Sequence, residues 1–249
     1  MNVYRPDNPL IVQGDHTVLV EVDGPRYVEA RDHLARFAEL IKSPEHIHTY
    51  RISPLSIWNA AAAGVDPDEI VETLHQFSKY EVPQHVAVEI RDYASRFGRL
   101  CLTRAADHLV LTANDCPLAE EISRHKHVAP LLDERLSPVK FRVAPVSRGK
   151  LKQALVKAGF PAEDLAGYCQ GESLEIALRE LTVGVVRFLL REFLHDAAAV
   201  FHVAGARSGG SGVIVLPCGA GKTMVGLACL ARLQTSTLIL TTNVTATHQ

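Results

Sequence analysis

Twelve residues near the C-terminus, Gly212-Val-Ile-Val-Leu-Pro-Cys-Gly-Ala-Gly-Lys-Thr223, restrict most sharply what this chain can fold into. Val213 to Leu216 form a short apolar run, a glycine-broken loop follows, and Lys222-Thr223 open an amphipathic helical pattern. Strand, loop and helix in that order are the context in which a Gly-x-Gly-Lys-Thr string binds phosphate. Loop N–H groups and the positive end of the helix dipole converge on one point, which suits an anion. The candidate nucleotide-binding residues are therefore Pro217, Cys218, Gly219, Ala220, Gly221, Lys222 and Thr223. Lys222 is placed to reach the outer phosphates of ATP, and the Thr223 hydroxyl to serve as a ligand to Mg2+. The full pattern asks for a glycine five residues before Gly221, and Leu216 stands there instead. The competing reading is a glycine-rich turn with an exposed lysine; strand, loop and helix together favour the phosphate site.

At 249 residues and 47% hydrophobic content the chain has room for two domains or one large one. No apolar run approaches the ~20 residues that a membrane span needs. Met1-Asn-Val-Tyr-Arg-Pro-Asp7 does not read as a signal peptide, so a cytoplasmic protein with no membrane partner is expected. The five cysteines (101, 116, 169, 218 and 229) form no C-x-x-C pair and read as small core hydrophobes.

Net charge is −2, which argues against indiscriminate binding to nucleic acid. Yet Arg135, Lys140, Arg142, Arg148, Lys150, Lys152 and Lys157 fall in one stretch without an acid. Such a local excess either lies on a phosphate backbone or forms an ordinary solvated face.

The pattern along the chain is α/β and multidomain. Thr17 to Val22 reads as a β-branched strand, and Asp23-Gly24-Pro25 turns into a helix with Val28, Ala30, Leu34, Phe37 and Ile41 on one face. Ile47 to Ile52 is the next strand. Three helices follow. The first is capped by Ser53-Pro54, carries Leu55, Trp58 and Ala61, and stops at Gly64. The second starts at Asp66-Pro67 with Ile70, Leu74 and Phe77 inward, and the third turns Val86, Ile90, Tyr93 and Phe97 inward before Gly98. With a strand from Arg99 to Thr103, this resembles a winged helix. Asp66, Asp68, Glu69 and Glu72 on the second helix repel phosphate, which favours a packing or docking role over base readout. Farther on come strands at His108 to Leu111 and Val139 to Val143, then a helix from Ser147 to Ala158 with Leu151 and Leu155 inward. A long helix from about Val183 to Val203, packing Val186, Leu189, Leu190, Phe193, Ala197, Val200 and Phe201, precedes the phosphate loop, and Thr237 to Thr242 reads as a strand after it.

Several strings, in order along nearly the whole chain, resemble bacterial helicases of the xeroderma pigmentosum B type. They are Lys42-Ser-Pro-Glu-His-Ile-His-Thr-Tyr-Arg51, Ser53-Pro-Leu-Ser-Ile-Trp-Asn-Ala-Ala-Ala-Ala-Gly64, Val128-Ala-Pro-Leu-Leu132, Arg148-Gly-Lys-Leu-Lys-Gln153, Pro161-Ala-Glu-Asp-Leu-Ala-Gly-Tyr168 and Val215-Leu-Pro-Cys-Gly-Ala-Gly-Lys-Thr223. The resemblance implies an ATP-dependent DNA translocase or helicase of 3′ to 5′ polarity in repair or transcription-linked DNA opening. It also implies an N-terminal α/β and helical (winged-helix-like) module over 1–104, a small α/β damage-recognition-like domain over 105–175, and a partial RecA-like P-loop domain over 176–249. Lys140, Arg142, Arg148, Lys150, Lys152, Thr242 and Asn243 become candidate DNA contacts, with a nuclease or a repair or transcription protein as candidate partner.

The family usually carries Arg-x-Tyr-Gln ahead of the loop, its glutamine reading the adenine edge; Arg191-Glu-Phe-Leu194 stands here, so base discrimination is expected to weaken. Leu238 to Gln249 looks like motif Ia. No Asp-Glu-x-His element follows within this sequence, so no catalytic residue is assigned, and ATP hydrolysis by this polypeptide alone is not expected. A non-enzymatic docking adaptor with a vestigial loop is the alternative, as is a nucleotide-gated switch without turnover. Two His-x-His pairs, His46/His48 and His125/His127, lack a third metal ligand at a recognised spacing.

Overall fold

The structure, a computed structural model, describes residues 4–167, 171–179, 189–201, 214, 216 and 219–240. It is a mixed α/β fold with two sheets, divided into two units, Met1–Gly167 and Tyr168–Gln249.

In the first unit, β1 (Leu10–Val12), β2 (Thr17–Glu21), β3 (Glu39–Lys42) and β4 (Ile47–Arg51) form an antiparallel sheet in the order β1-β2-β4-β3. The two-residue period of β2 turns Val18 and Val20 inward, and Leu10 joins them from β1. Helix α1 (Tyr27–Leu34) lays Ala30 and Leu34 on that layer. It is shorter than the periodicity predicts. Val28 is exposed, and Ile41 lies in β3 because the chain leaves the helix at Ala35 and re-forms as an edge strand.

Helix α2 (Pro54–Ala62) starts where Ser53 and Ser56 make a reciprocal capping box, and Gly64 at φ 81° follows its end. Its inward face is Ile57, Trp58 and Ala60; Leu55 points out, contrary to the sequence reading. Helix α3 (Pro67–Phe77) buries Ile70, Leu74 and Phe77 as expected, with Asp66 accepting from the Asp68 amide at 2.7 Å. In α4 (Gln84–Arg96) Val86 and Ile90 are fully buried, and Trp58 Nε1 donates to the Tyr93 carbonyl at 2.9 Å, tying α2 to α4. These elements share one apolar core running from Leu10 to Ile90.

The strand after the three helices does not serve them as a wing. It is β5 (Leu100–Arg104), and it belongs to a second sheet with β6 (Leu109–Ala113), β7 (Glu134–Ser137), β8 (Lys140–Val143) and β9 (Ala162–Asp164). The order is β7-β8-β6-β5-β9, antiparallel except for the parallel pair β5–β9. Alternation along β5 and β6 sends Leu100, Leu102, Leu109 and Leu111 to one face, each wholly buried. Helices α5 (Cys116–Arg124) and α6 (Arg148–Lys157) cover that face with Leu118, Ile122, Leu151 and Leu155. A leucine so buried contributes roughly 1.5–3 kcal/mol over an exposed one, which is why the leucine-rich strands set this layer.

In the second unit, α7 (Glu192–Phe201) packs on α8 (Lys222–Leu233). Leu194 and Ala198 face Val225, Ala228 and Cys229. The face expected of the longer helix is therefore shifted: Leu189, Phe193 and Val200 are exposed, while Leu194 is buried. Residues 183–188 and 202–203 of that expected helix lie outside the described residues, as do 213 and 215 of the strand predicted before the loop. Residues 237–240, expected to begin a strand, carry no regular secondary structure, and Thr241 and Thr242 fall outside the described residues.

Candidate functional site

Gly221 is the N-cap of α8, in the left-handed region at φ 98°, and Gly219 lies at φ 77°. Both conformations are open to glycine at no steric cost, and a side chain is strained there. The amides of Met224 and Val225 close on the Gly221 carbonyl at 2.9 and 3.2 Å. The amides of Lys222 and Thr223 precede the first intrahelical bonds of α8, and their side chains are exposed at its first turn. Two left-handed glycines, helix-start amides, a cation and a hydroxyl form a donor set that fits a phosphate tail with its metal. Pro217 and Cys218 are outside the described residues.

The loop is braced from behind. A Cβ on Gly221 would lie 3.1 Å from Cδ1 of Leu194, which is 5% exposed. The side chain at the position that the motif comparison aligns with an adenine-reading glutamine is thus turned into the α7–α8 core. Beside it a cavity of about 270 Å³ is lined by Phe201, Ile214, Val225, Gly226 and Cys229, with Lys222 at its polar end. Burial raises the Cys229 thiol above its ordinary range, so it sits there as a neutral apolar group.

The candidate DNA contacts separate into two groups. Lys140, at the start of β8, and Lys150, on α6, are exposed. Arg148 and Lys152 are drawn into the fold. Arg148 makes a bidentate pair with Asp164 of β9 at 2.9 and 2.8 Å and donates to the Gly167 carbonyl at 2.7 Å; Lys152 Nζ reaches Asp164 at 2.9 Å. Burial disfavours the Asp164 charge, but hydrogen bonds from Arg148, Lys152 and the Ala166 amide outweigh it and hold the carboxyl below the usual carboxylate range. Arg142 pairs with Asp107 at 3.2 Å, and Arg135 with Glu120. A basic run without a local acid is thus answered by acids from elsewhere in the sequence, which spacing alone does not reveal. Thr242 and Asn243 lie outside the described residues.

The histidine pairs find hydrogen-bonding roles. His46 Nδ1 lies 3.1 Å from Asp23, His48 Nδ1 lies 3.1 Å from the Tyr27 hydroxyl, and the rings of His125 and His127 stand 5.9 Å apart. Among the described residues no cluster of three or more His, Cys, Asp or Glu is placed to hold a metal ion. Among them, too, no helix is long and apolar enough to cross a membrane.

A helicase conserved C-terminal domain model matches residues 10–137, and the chain belongs to that family. The match takes in the first core and most of the second sheet, and ends before α6 and the glycine loop. The chain is 48% identical over 244 residues to the DNA 3'-5' helicase XPB of Kineococcus radiotolerans, covering 98% of this chain and 42% of that protein. The DNA 3'-5' helicase XPB of Mycobacterium tuberculosis is likewise 48% identical, with 43% of its length covered. At 27% identity over 251 residues the chain also matches the general transcription and DNA repair factor IIH helicase/translocase subunit XPB of Enterocytozoon bieneusi, across 40% of that protein. The chain spans about two fifths of the length of these relatives, and the likeness to the N-terminal half of bacterial XPB-type helicases expected from its motifs is borne out.

Proposed function

We propose that this chain forms the N-terminal portion of an ATP-dependent 3′ to 5′ DNA helicase or translocase of DNA repair or transcription-linked DNA opening. In this reading residues 1–104 are the α/β and helical accessory module, 105–175 the damage-recognition-like domain, and 176–249 part of a RecA-like motor domain. Strand β5 goes structurally with the second of these. Its own contribution is binding. Loop residues 217–223 cradle the phosphates of ATP, with Lys222 on the outer phosphates and Thr223 as the protein's ligand to Mg2+. Mg2+ held by Thr223 would offset part of the charge of the bound phosphates. Lys140 and Lys150 are the described cations best disposed toward a DNA backbone, and a repair or transcription protein is the expected partner.

The observation that carries the proposal is the pair of left-handed glycines, 219 and 221, setting Lys222 and Thr223 at the start of α8. A helix start with a capping carboxylate or amide side chain is closed to an anion; Gly221 leaves this one without such a cap. Titration of a fluorescent ATP analogue with Mg2+ against the wild type and Lys222→Ala tests it. Loss of affinity in the variant supports the site, and equal affinity removes it, leaving the docking adaptor as the reading.

A further inference from the structure

Within the first unit, a groove of about 360 Å³ opens between the helical layer (α2 and α4) and α6. Its walls are largely apolar: Leu55 from α2, the half-buried Tyr93 from α4 and Val156 from α6, while Trp58, only 4% exposed, contributes no more than an edge. Two cations, Arg96 and Lys157, stand among its lining residues, and no acid does. Each wall is fixed. Trp58 is pinned by its 2.9 Å hydrogen bond to the Tyr93 carbonyl. The Arg96 guanidinium lies 5.9 Å from the Tyr93 ring and 5.8 Å from the Phe160 ring, and pairs with Asp92 at 2.7 Å. Gly159, at φ 84°, makes room for it: a Cβ there would meet Arg96 Nη1 at 3.2 Å.

We infer that this groove receives one unstacked base of single-stranded DNA, with an adjoining phosphate on Lys157. The size is in the range of small-ligand clefts. The Tyr93 ring and the aliphatic walls suit a ring of either purine or pyrimidine type, and two of the polar lining groups are already engaged, Ser53 Oγ with Glu39 and the Ser56 amide and Arg96 with Asp92. Recognition is therefore by stacking and charge, tolerant of sequence. The two cations of the lining ask for an occupant in which a neutral ring is joined to a negative charge, which a nucleotide with its phosphate supplies and a plain apolar side chain does not. Arg96 is part-neutralised by Asp92, so Lys157 bears the phosphate. The inference rests on the reading of the chain as a DNA-binding protein and adds a second contact region to Lys140 and Lys150.

Trp58 is the single tryptophan of the chain, so its emission reports on the α2–α4 packing that edges this groove. The intact chain is titrated with a short oligothymidylate and, separately, with an abasic oligonucleotide of the same length. Binding is followed by anisotropy of an end label, and the groove by Trp58 emission with unlabelled strands. Oligothymidylate is expected to quench Trp58, and the abasic strand to bind without quenching. Leu55 is 45% exposed, so Leu55→Glu should fold, and it is expected to remove the quench and lower affinity about tenfold. Lys157→Ala should lower the salt slope by about one. A rise in anisotropy with unchanged emission, or equal quenching by the abasic strand, overturns the groove assignment and leaves DNA binding standing. No change in either signal overturns both. Quenching by an acetylated Phe-Asp-Asp peptide but not by the oligonucleotide assigns the groove to a protein partner and also overturns the inference.

Discussion

Leu194 of α7 lies directly behind Gly221 at the head of α8, its Cδ1 3.1 Å from where a Cβ on that glycine would stand. The glycine loop therefore depends on two conditions together: a left-handed backbone at 221 and a bulky apolar brace at 194.

Gly221→Ala violates both. A side chain at φ 98° is strained, and its methyl meets Leu194. The variant should lose about 1–3 kcal/mol of stability in the second unit and should not bind nucleotide. Leu194→Ala alone should cost about 2–5 kcal/mol by opening a cavity in the α7–α8 core, and the double variant should lose less than the sum of the two, because truncation removes the contact with the added methyl but none of the strain due to φ. Urea denaturation of the single and double variants checks this, and full additivity would show that the two residues do not touch.

Leu194→Gln tests the meaning of that position differently. A glutamine would be buried among Ala198, Val225 and Cys229, where its amide finds apolar neighbours. The expected outcome is a loss of about 1–3 kcal/mol with no gain in preference for ATP over GTP. A gained preference for ATP would mean that the side chain reaches the base.

Arg148 and Asp164 join α6 to β9. Arg148→Ala leaves a mostly buried carboxylate with only Lys152 as charged partner, and should cost about 3 kcal/mol. Because the folded carboxyl lies below its ordinary value, this contribution is complete at neutral pH. It falls away as the pH drops below the ordinary aspartate value of about 3.9 toward the lower folded value. Asp164→Asn should flatten the acid limb of a stability-versus-pH curve; an unchanged limb would refute the linkage.

The basic stretch should divide by function in the same way. Lys140→Glu and Lys150→Glu should weaken binding of mixed-sequence duplex without changing the melting temperature, Lys→Ala at each lowering the salt slope by about one. Lys152→Ala should mainly lower the melting temperature. Equal effects on DNA affinity from all three would return Lys152 to the DNA-binding face.

Elements with strong local signals were legible in the sequence. Asp66-Pro67 and the Ile70, Leu74, Phe77 spacing gave α3 with its inward face, and β2, β4 and α6 fell close to their expected places. Reading failed where the deciding partner was distant. Leu55 and Ile57 are equally apolar, and only the position of the sheet and α4 selects Ile57. The strand at 100–104 looked like an appendage of the helices before it because its partners, 109–113 and 162–164, come later. Likewise the glycine loop was visible from its own residues, while its brace at Leu194 and the engagement of Arg148 by Asp164 required contacts that no local pattern encodes.

The parallel register of Leu100 with Ala162 bears on how the chain matures. The first core draws on residues no later than Ala94, all within or before α4, and can close as soon as α4 has left the ribosome. The second cannot gain its outermost strand until more than sixty further residues have been synthesised and the two ends of that segment have met, a long loop to close and a slow kind of contact. Biogenesis is thus ordered by topology: an early, self-sufficient nucleus, followed by a sheet that waits on its own last strand.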